Sequence, residues 1–287
     1  MAGIVWNYDP TAPDIEPSPA SPAEAIGLLD RGNATFAELE ATSTTPLIVP
    51  VDADDLGFGA VPGETPRQAP FAALLGCADA RVPLELIFLQ SANDLFVVRV
   101  AGNVLGAECI GSLDYAVESL ASLRLLAVLG HTRCGAVTGS VDAYLATSIY
   151  LGFSANLPVR AIVDAIMPTV RAADIGLKEA HGPEANQLPG YRSALIDTTA
   201  ILNAAVGAEA LERIFAANLG RRLRVALGIY DLASRTVGMP AASGDDPHWE
   251  AGLVSPPRPE DFPEFVMSVA SSGYVTTLLH TAPRRRR

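Results

Sequence analysis

Two stretches decide how this chain folds: Phe71-Ala-Ala-Leu-Leu-Gly-Cys77-Ala-Asp79-Ala-Arg81 and Leu123-Arg-Leu-Leu-Ala-Val-Leu-Gly130-His131-Thr-Arg-Cys134-Gly135. Each is a short, nearly unbroken apolar run that stops at a glycine and continues into residues capable of chemistry. Further apolar runs occupy 95–100 and 223–230. Runs of this length, bounded by turn residues, fit strands buried on both faces, as in a parallel sheet covered by helices. The segments 83–90, 112–120, 137–144 and 192–218 read as helical. Alternating strand and helix predicts an α/β fold with a central, mostly parallel sheet, and places the largest helical insertion at about 139–218.

Working outward, the 287 residues suffice for a large core without disulfides, and 49% apolar against 18% charged residues excludes disorder over most of the length. The net charge is −12 even though 284–287 is a run of four arginines. That balance argues against a nucleic-acid or anionic-membrane partner. Mean hydropathy is +0.26, yet no stretch approaches the ~20 uninterrupted apolar residues of a bilayer span. Residues 1–21 lack a basic start and a long apolar core, so they read as a flexible, acidic, Pro-rich extension, and the expected location is the cytoplasm. Cys77, Cys109 and Cys134 are too few for a disulfide framework.

Ser21 followed by Pro22 predicts a helix start, and Gly32-Asn33 predicts its end. The stretch 42–68 reads as a long connection; its Gly57-Phe-Gly59 lacks the strand and helix context of a dinucleotide fingerprint, and no Walker A sequence or internal repeat occurs. Past Gly238 a Pro-rich linker leads to apolar 262–279, a tail expected either to pack on its own domain or to cover a dimer surface or pocket mouth.

Ligands of open α/β sheets bind at the carboxyl ends of strands. Two parallel strands here bring Cys77, His131 and Cys134 to one such edge, with Asp79 and Arg81 close behind. A catalytic zinc takes three protein ligands from Cys, His and carboxylate, and Cys2His meets that count. A helix starting after Gly135 favours a Cys134 thiolate. Reduced thiols that only pack, or a redox pair, fit the same spacing. Cys109, in Ala-Glu-Cys-Ile-Gly, reads as a small core residue.

Cys77-Ala-Asp79-Ala-Arg81-Val-Pro and His131-Thr-Arg-Cys134-Gly-Ala-Val resemble the two paired signatures of the β-class carbonic anhydrases. The resemblance extends, in order, through Arg31-Gly-Asn33-Ala-Thr-Phe36, Gln68-Ala-Pro, Asp94-Leu-Phe-Val-Val-Arg-Val-Ala-Gly-Asn103, Tyr115-Ala-Val-Glu and Gly228-Ile-Tyr-Asp231, covering roughly 22–238. It implies four parallel core strands plus an antiparallel edge strand, and a zinc-binding catalytic domain over 22–238 followed by a tail at 239–287. It also implies one zinc per subunit on Cys77, His131 and Cys134, with an Asp79–Arg81 dyad whose aspartate becomes a fourth ligand in a closed state. Gln68, Phe96, Tyr115 and Gly135 then line the substrate pocket, the two aromatics reaching in from a neighbouring subunit of a homodimer or larger assembly. The implied activity is reversible hydration of carbon dioxide to bicarbonate and a proton by zinc-bound hydroxide. Hydrolysis of carbon disulfide or carbonyl sulfide, and a non-catalytic zinc-binding regulator, are the alternatives. Ala80, Thr132 and Asn93 depart from the family's usual residues; none is a ligand, and Asn tolerates the left-handed backbone a turn glycine provides.

Overall fold

The computed structural model describes residues 3–8, 18–39, 46–51, 55, 65–242 and 247–282. The Gly57-Phe-Gly59 tract and the arginine run 284–287 lie outside them. In chain order the elements are β1 (Ile4–Tyr8), α1 (Pro22–Glu38), β2 (Leu47–Val51), β3 (Ala72–Cys77), α2 (Leu84–Ile87), β4 (Leu95–Val100), α3 (Ala107–Ser119) and β5 (Leu125–His131). Then follow α4 (Gly135–Leu145), α5 (Thr147–Gly152), α6 (Leu157–His181), α7 (Tyr191–Ile214), β6 (Arg224–Tyr230), β7 (Val237–Pro240), β8 (Trp249–Ala251), α8 (Phe262–Ala270) and α9 (Gly273–His280).

The main sheet has the order β4-β3-β5-β6-β7-β8. Its first four strands are parallel, and β7 and β8 add antiparallel pairs, one strand more than the single antiparallel edge expected. Alternate residues of each parallel strand face two cores. Ala73, Leu75, Leu126, Val128, Leu227 and Ile229 join the core under α3, α4, α6 and α7, while Leu74, Leu125, Leu129 and Ala226 join the one under α1 and α2. Each fully buried leucine contributes about 2 kcal/mol of transfer free energy, and two-sided burial explains why these strands are apolar without polar alternation. Helix α7 is long and apolar enough to cross a membrane by length and composition, but 89% of that window is buried inside the fold, as a core helix requires.

One local expectation is corrected. Ser21 does cap α1, its Oγ accepting from Glu24 N at 3.3 Å, but the helix runs through Gly32-Asn33 to Glu38. The pair is there for packing: a Cβ on Gly32 would lie 1.9 Å from the Phe88 carbonyl oxygen, and buried Asn33 donates to the carbonyls of Ile87 and Arg235 and accepts from Val237 N. Within the expected flexible start and the expected connection lie β1 and β2, which pair in parallel. The boundary expected after Gly238 falls inside β7, and the tail helices α8 and α9 pack against α6 and α7 of the same chain. Gly176 marks the closeness of one contact, since a Cβ there would lie 2.5 Å from Val266 Cγ1.

Asn93 takes φ 67°, the left-handed turn anticipated for it, and its amide ties three neighbours together: it accepts from Ala69 N and donates to Arg67 O and Asp55 Oδ1. Next to it, burial pushes the Asp94 carboxyl up to about 6, only partly offset by its hydrogen bond from Ser91 N. A raised carboxyl pKa favours the folded state below the unfolded value near ~4 and loses that contribution as pH rises through the folded value. Asp94→Asn is therefore expected to unfold like the parent near pH 4 and to be more stable by about 2 kcal/mol at about pH 8, read by urea titration at each pH. Gly32→Ala improves intrinsic helix propensity but forces α1 off the end of α2. A net loss of about 1–3 kcal/mol is expected in the same titration.

Candidate metal centre

Strand β3 lies between β4 and β5, with Gly76 opposite Leu129. This register puts Cys77, at the end of β3, beside the end of β5, where His131 closes the strand. The chain then turns through Thr132 and Arg133, the latter at φ 54°, and Cys134 is the N-cap of α4. The ligand atoms of Cys77, His131 and Cys134 all lie within 4.8 Å of one another, and all three residues are buried. No other such group of three occurs among the described residues.

The donor set fits a zinc ion. The two sulfurs are 3.8 Å apart, and two thiolates at ~2.3 Å from one tetrahedral zinc sit about 3.8 Å apart. His131 Nδ1 is 3.0 Å from the Thr132 carbonyl, the geometry of a ring N–H donating to it; that tautomer leaves the Nε2 lone pair free. Nε2 is fully buried without a hydrogen-bond partner. An orphaned buried nitrogen costs about 1–3 kcal/mol, which packed thiols would not recover and a cation would. The Cys77 thiol is held down to about 4, chiefly by hydrogen bonding from Cys134, whose own proton is held correspondingly harder. The amides of Ala136 and Val137 at the start of α4 also face the Cys134 sulfur and favour its thiolate. No disulfide links the cysteines; all three are free, and Cys109 is buried in the core as expected.

Asp79 and Arg81 form the expected dyad. Arg81 donates from Nε to Oδ1 at 3.0 Å and from Nη2 to Oδ2 at 2.7 Å, and its backbone N donates to Oδ1 at 2.9 Å. These bonds hold the Asp79 carboxyl down to about 2, so it is ionised at all but strongly acidic pH. Asp79 Oδ2 lies 3.8 Å from His131 Nε2, at the rim of the triad. Arg81 also reaches the Arg133 carbonyl at 3.4 Å and so bridges the two ligand-bearing loops.

Of the residues expected to line a pocket, Phe96, Tyr115 and Gln68 stand away from the triad and Gly135 stands beside it. Phe96 pairs with Ala73 across the β3–β4 ladder, four residues before Cys77 and thus about 13 Å away along the strand. Its ring is 6.3 Å from that of Tyr115, which is 52% exposed on α3. Gln68 is exposed on the approach to β3, at the strand end opposite Cys77, whereas Gly135 directly follows a ligand in the first turn of α4.

Several residues beyond the triad and the Asp79–Arg81 pair hold the centre. Arg99 donates to the carbonyls of Cys77 and Asp79, and Gly102 N lies 3.3 Å from the Cys77 sulfur. Asn203 on α7 fixes the Gly102 carbonyl. Thr132 donates to Asp231 and accepts from Leu232 N. Buried Asp197 accepts from Arg133 N at 2.7 Å. A charged residue within the apolar run 95–100, and an aspartate in the apolar heart of α7, were the signals available.

Residues 72–209 match the carbonic anhydrase family. The chain is 42% identical over 103 residues to carbonic anhydrase 2 of Mycobacterium tuberculosis, covering 36% of this chain and 47% of that one. It is 41% identical over 106 residues to a carbonic anhydrase of Mycolicibacterium smegmatis, covering 37% and 48%. The matched stretch thus spans about half the length of these relatives. Among solved structures, the β-carbonic anhydrase CcaA aligns at TM-score 0.49 with 20% identity, over 68% of this chain and 84% of that one. The β-carbonic anhydrase CafA of Aspergillus fumigatus aligns at 0.47 with 22% identity, over 70% and 83%. The family match thus runs across the very turns that gather two cysteines and a histidine beside a paired Asp and Arg, and over those residues the chain is similar to the carbonic anhydrases.

Proposed function

We propose that this protein catalyses the reversible hydration of carbon dioxide to bicarbonate at a zinc ion held by Cys77, His131 and Cys134. The observation that carries the reading is the orphaned His131 Nε2, facing two sulfurs at tetrahedral spacing with an ionised carboxylate 3.8 Å away. A zinc ion there supplies Lewis acidity, bringing the pKa of water towards ~7 so that hydroxide is available near neutrality.

The chain's own residues do the remaining work. Asp79, clamped by Arg81, is an acceptor-only group at the rim of the site, so it can take a hydrogen bond from the nucleophile and fix the direction of its lone pair. Arg99 immobilises the loop carrying Asp79 through its carbonyl. Phe96 and Tyr115 are too far along the sheet to touch the triad of their own chain, and Tyr115 is exposed beside edge strand β4. In our reading they complete the apolar pocket of a second copy, making a homodimer the minimal active unit. Three buried free thiols suit a reducing compartment, in keeping with a cytoplasmic location.

Stopped-flow carbon dioxide hydration on protein of measured zinc content tests the reading. Turnover is expected to depend on zinc and to rise between about pH 7 and 9, since two thiolates donate more charge to zinc than imidazoles and raise the water pKa. A zinc-replete protein without hydration at either pH would sink it and direct attention to carbon disulfide, carbonyl sulfide or a non-catalytic role. Asp79→Asn is expected to lower turnover at least about 100-fold with zinc content unchanged. Normal turnover in that variant would remove Asp79 from the mechanism.

A further inference from the structure

The turn that delivers His131 and Cys134 is held from α7 and, through it, from the segment after Gly238. Arg133 N, midway between the two ligands, donates to Asp197 Oδ1 at 2.7 Å. The other oxygen of the same carboxylate accepts from the Tyr274 hydroxyl at 2.8 Å. Asp197 is on α7 and 2% exposed, so the two donors satisfy a carboxylate that has little water. Tyr274 is on α9, and its ring is met edge-on by Trp249 of β8 with centroids 4.9 Å apart. Both aromatics lie beyond Gly238, outside the family-matched residues 72–209.

The tail that carries them is fixed, as a lever of this kind requires. Ser272 Oγ caps α9 by accepting from Val275 N, and it donates to the Val269 carbonyl. Gly190 N donates to the Leu279 carbonyl, and a Cβ on Gly190 would lie 1.7 Å from the Leu278 carbonyl oxygen, so α9 sits directly on the start of α7. His181 Nε2 lies 2.8 Å from the Ala270 carbonyl and ties α6 to the end of α8.

We propose that the segment after Gly238 is part of the metal centre, with Tyr274, braced by Trp249, acting through Asp197 as a positioning residue for the His131–Cys134 turn. The proposal rests on the triad being a zinc site. It takes one hydrogen-bond relay across the fold, Tyr274 hydroxyl to Asp197 carboxylate to Arg133 amide, and gives the C-terminal helices a function in metal retention. Groups that orient ligands in this way are typically worth about 10- to 100-fold in metal affinity.

The test uses the full-length, zinc-loaded protein and the variants Tyr274→Phe and Asp197→Asn. Phe keeps the ring against Trp249 and removes only the donor; Asn keeps the shape and removes one of the two acceptor oxygens. Zinc release to a chromogenic chelator is expected to accelerate about 10- to 100-fold in each. The visible bands of the cobalt-substituted protein, which report ligand geometry, are expected to shift. Tyr274→Phe added to Asp197→Asn is expected to give less than the product of the single effects, as members of one relay do. Gly32→Ala, a destabilising change under the opposite face of the sheet, is expected to leave zinc release unaltered, which separates positioning from general loss of stability. Unchanged release and unchanged cobalt bands in whichever of the two relay variants folds would overturn the proposal. Failure of the zinc reading itself is distinct: the parent would then hold no stoichiometric zinc. Altered release without carbon dioxide hydration would keep the relay and remove only the reaction.

Discussion

The parallel ladder between β3 and β5 is the constraint on which the remainder depends. With Gly76 opposite Leu129, the two strands end within a residue of each other, and the side chains of Cys77 and His131 that leave them meet. A slip of one residue would send every side chain of a strand to the other face, splitting both cores and the triad together. The register is fixed because both faces are buried and leave no alternative set of apolar contacts of equal quality. Packing and ligand geometry are thus one property of this sheet.

Glycines at the strand ends show how closely the layers approach. A Cβ on Gly76 would lie 2.8 Å from Leu84 Cδ1, and one on Gly130 would meet Ile229 and Ala204 and lie 3.2 Å from the Ala200 carbonyl oxygen. The second contact lets α7 settle on the end of β5, which brings Asp197 within reach of the Arg133 amide. Small residues, buried carboxylate and ligand turn therefore belong to a single local solution. The left-handed backbone at Arg133, uncommon for a side chain of that size, persists because its N–H, its carbonyl and both flanking ligands are tied down.

Charge at the site is arranged by the same logic. Two sulfurs and a carboxylate converge in a mostly buried space, a collection that is stable only if positive charge answers it. Arg81 supplies part from the rim, the start of α4 supplies partial charge from backbone amides, and a divalent cation in the proposed site would supply what is left. The balance accounts for the close pairing of Asp79 with Arg81, which keeps the carboxylate oriented beside the triad.

The sequence by itself determined the four parallel strands, the cap at Ser21 and the strand-end positions of Cys77, His131 and Cys134, because these follow from apolar run length, turn residues and local spacing, whereas the pairing of Asp79 with Arg81 came only with the family resemblance. It misread Gly32-Asn33 as a helix stop, because a glycine required by the Phe88 carbonyl and one that ends a helix look identical in one dimension. It left β1 and β2 unread, since short edge strands in a Pro-rich context carry almost no periodicity. Only the tertiary structure decided that Asp197 and Asn203 reach the loops around the triad, that Tyr274 reaches Asp197, and that Phe96 and Tyr115 stand away from the triad of their own chain. The reason is physical: those relations depend on how helices distant in sequence pack on the sheet, and a single buried hydrogen bond leaves no repeating pattern along the chain.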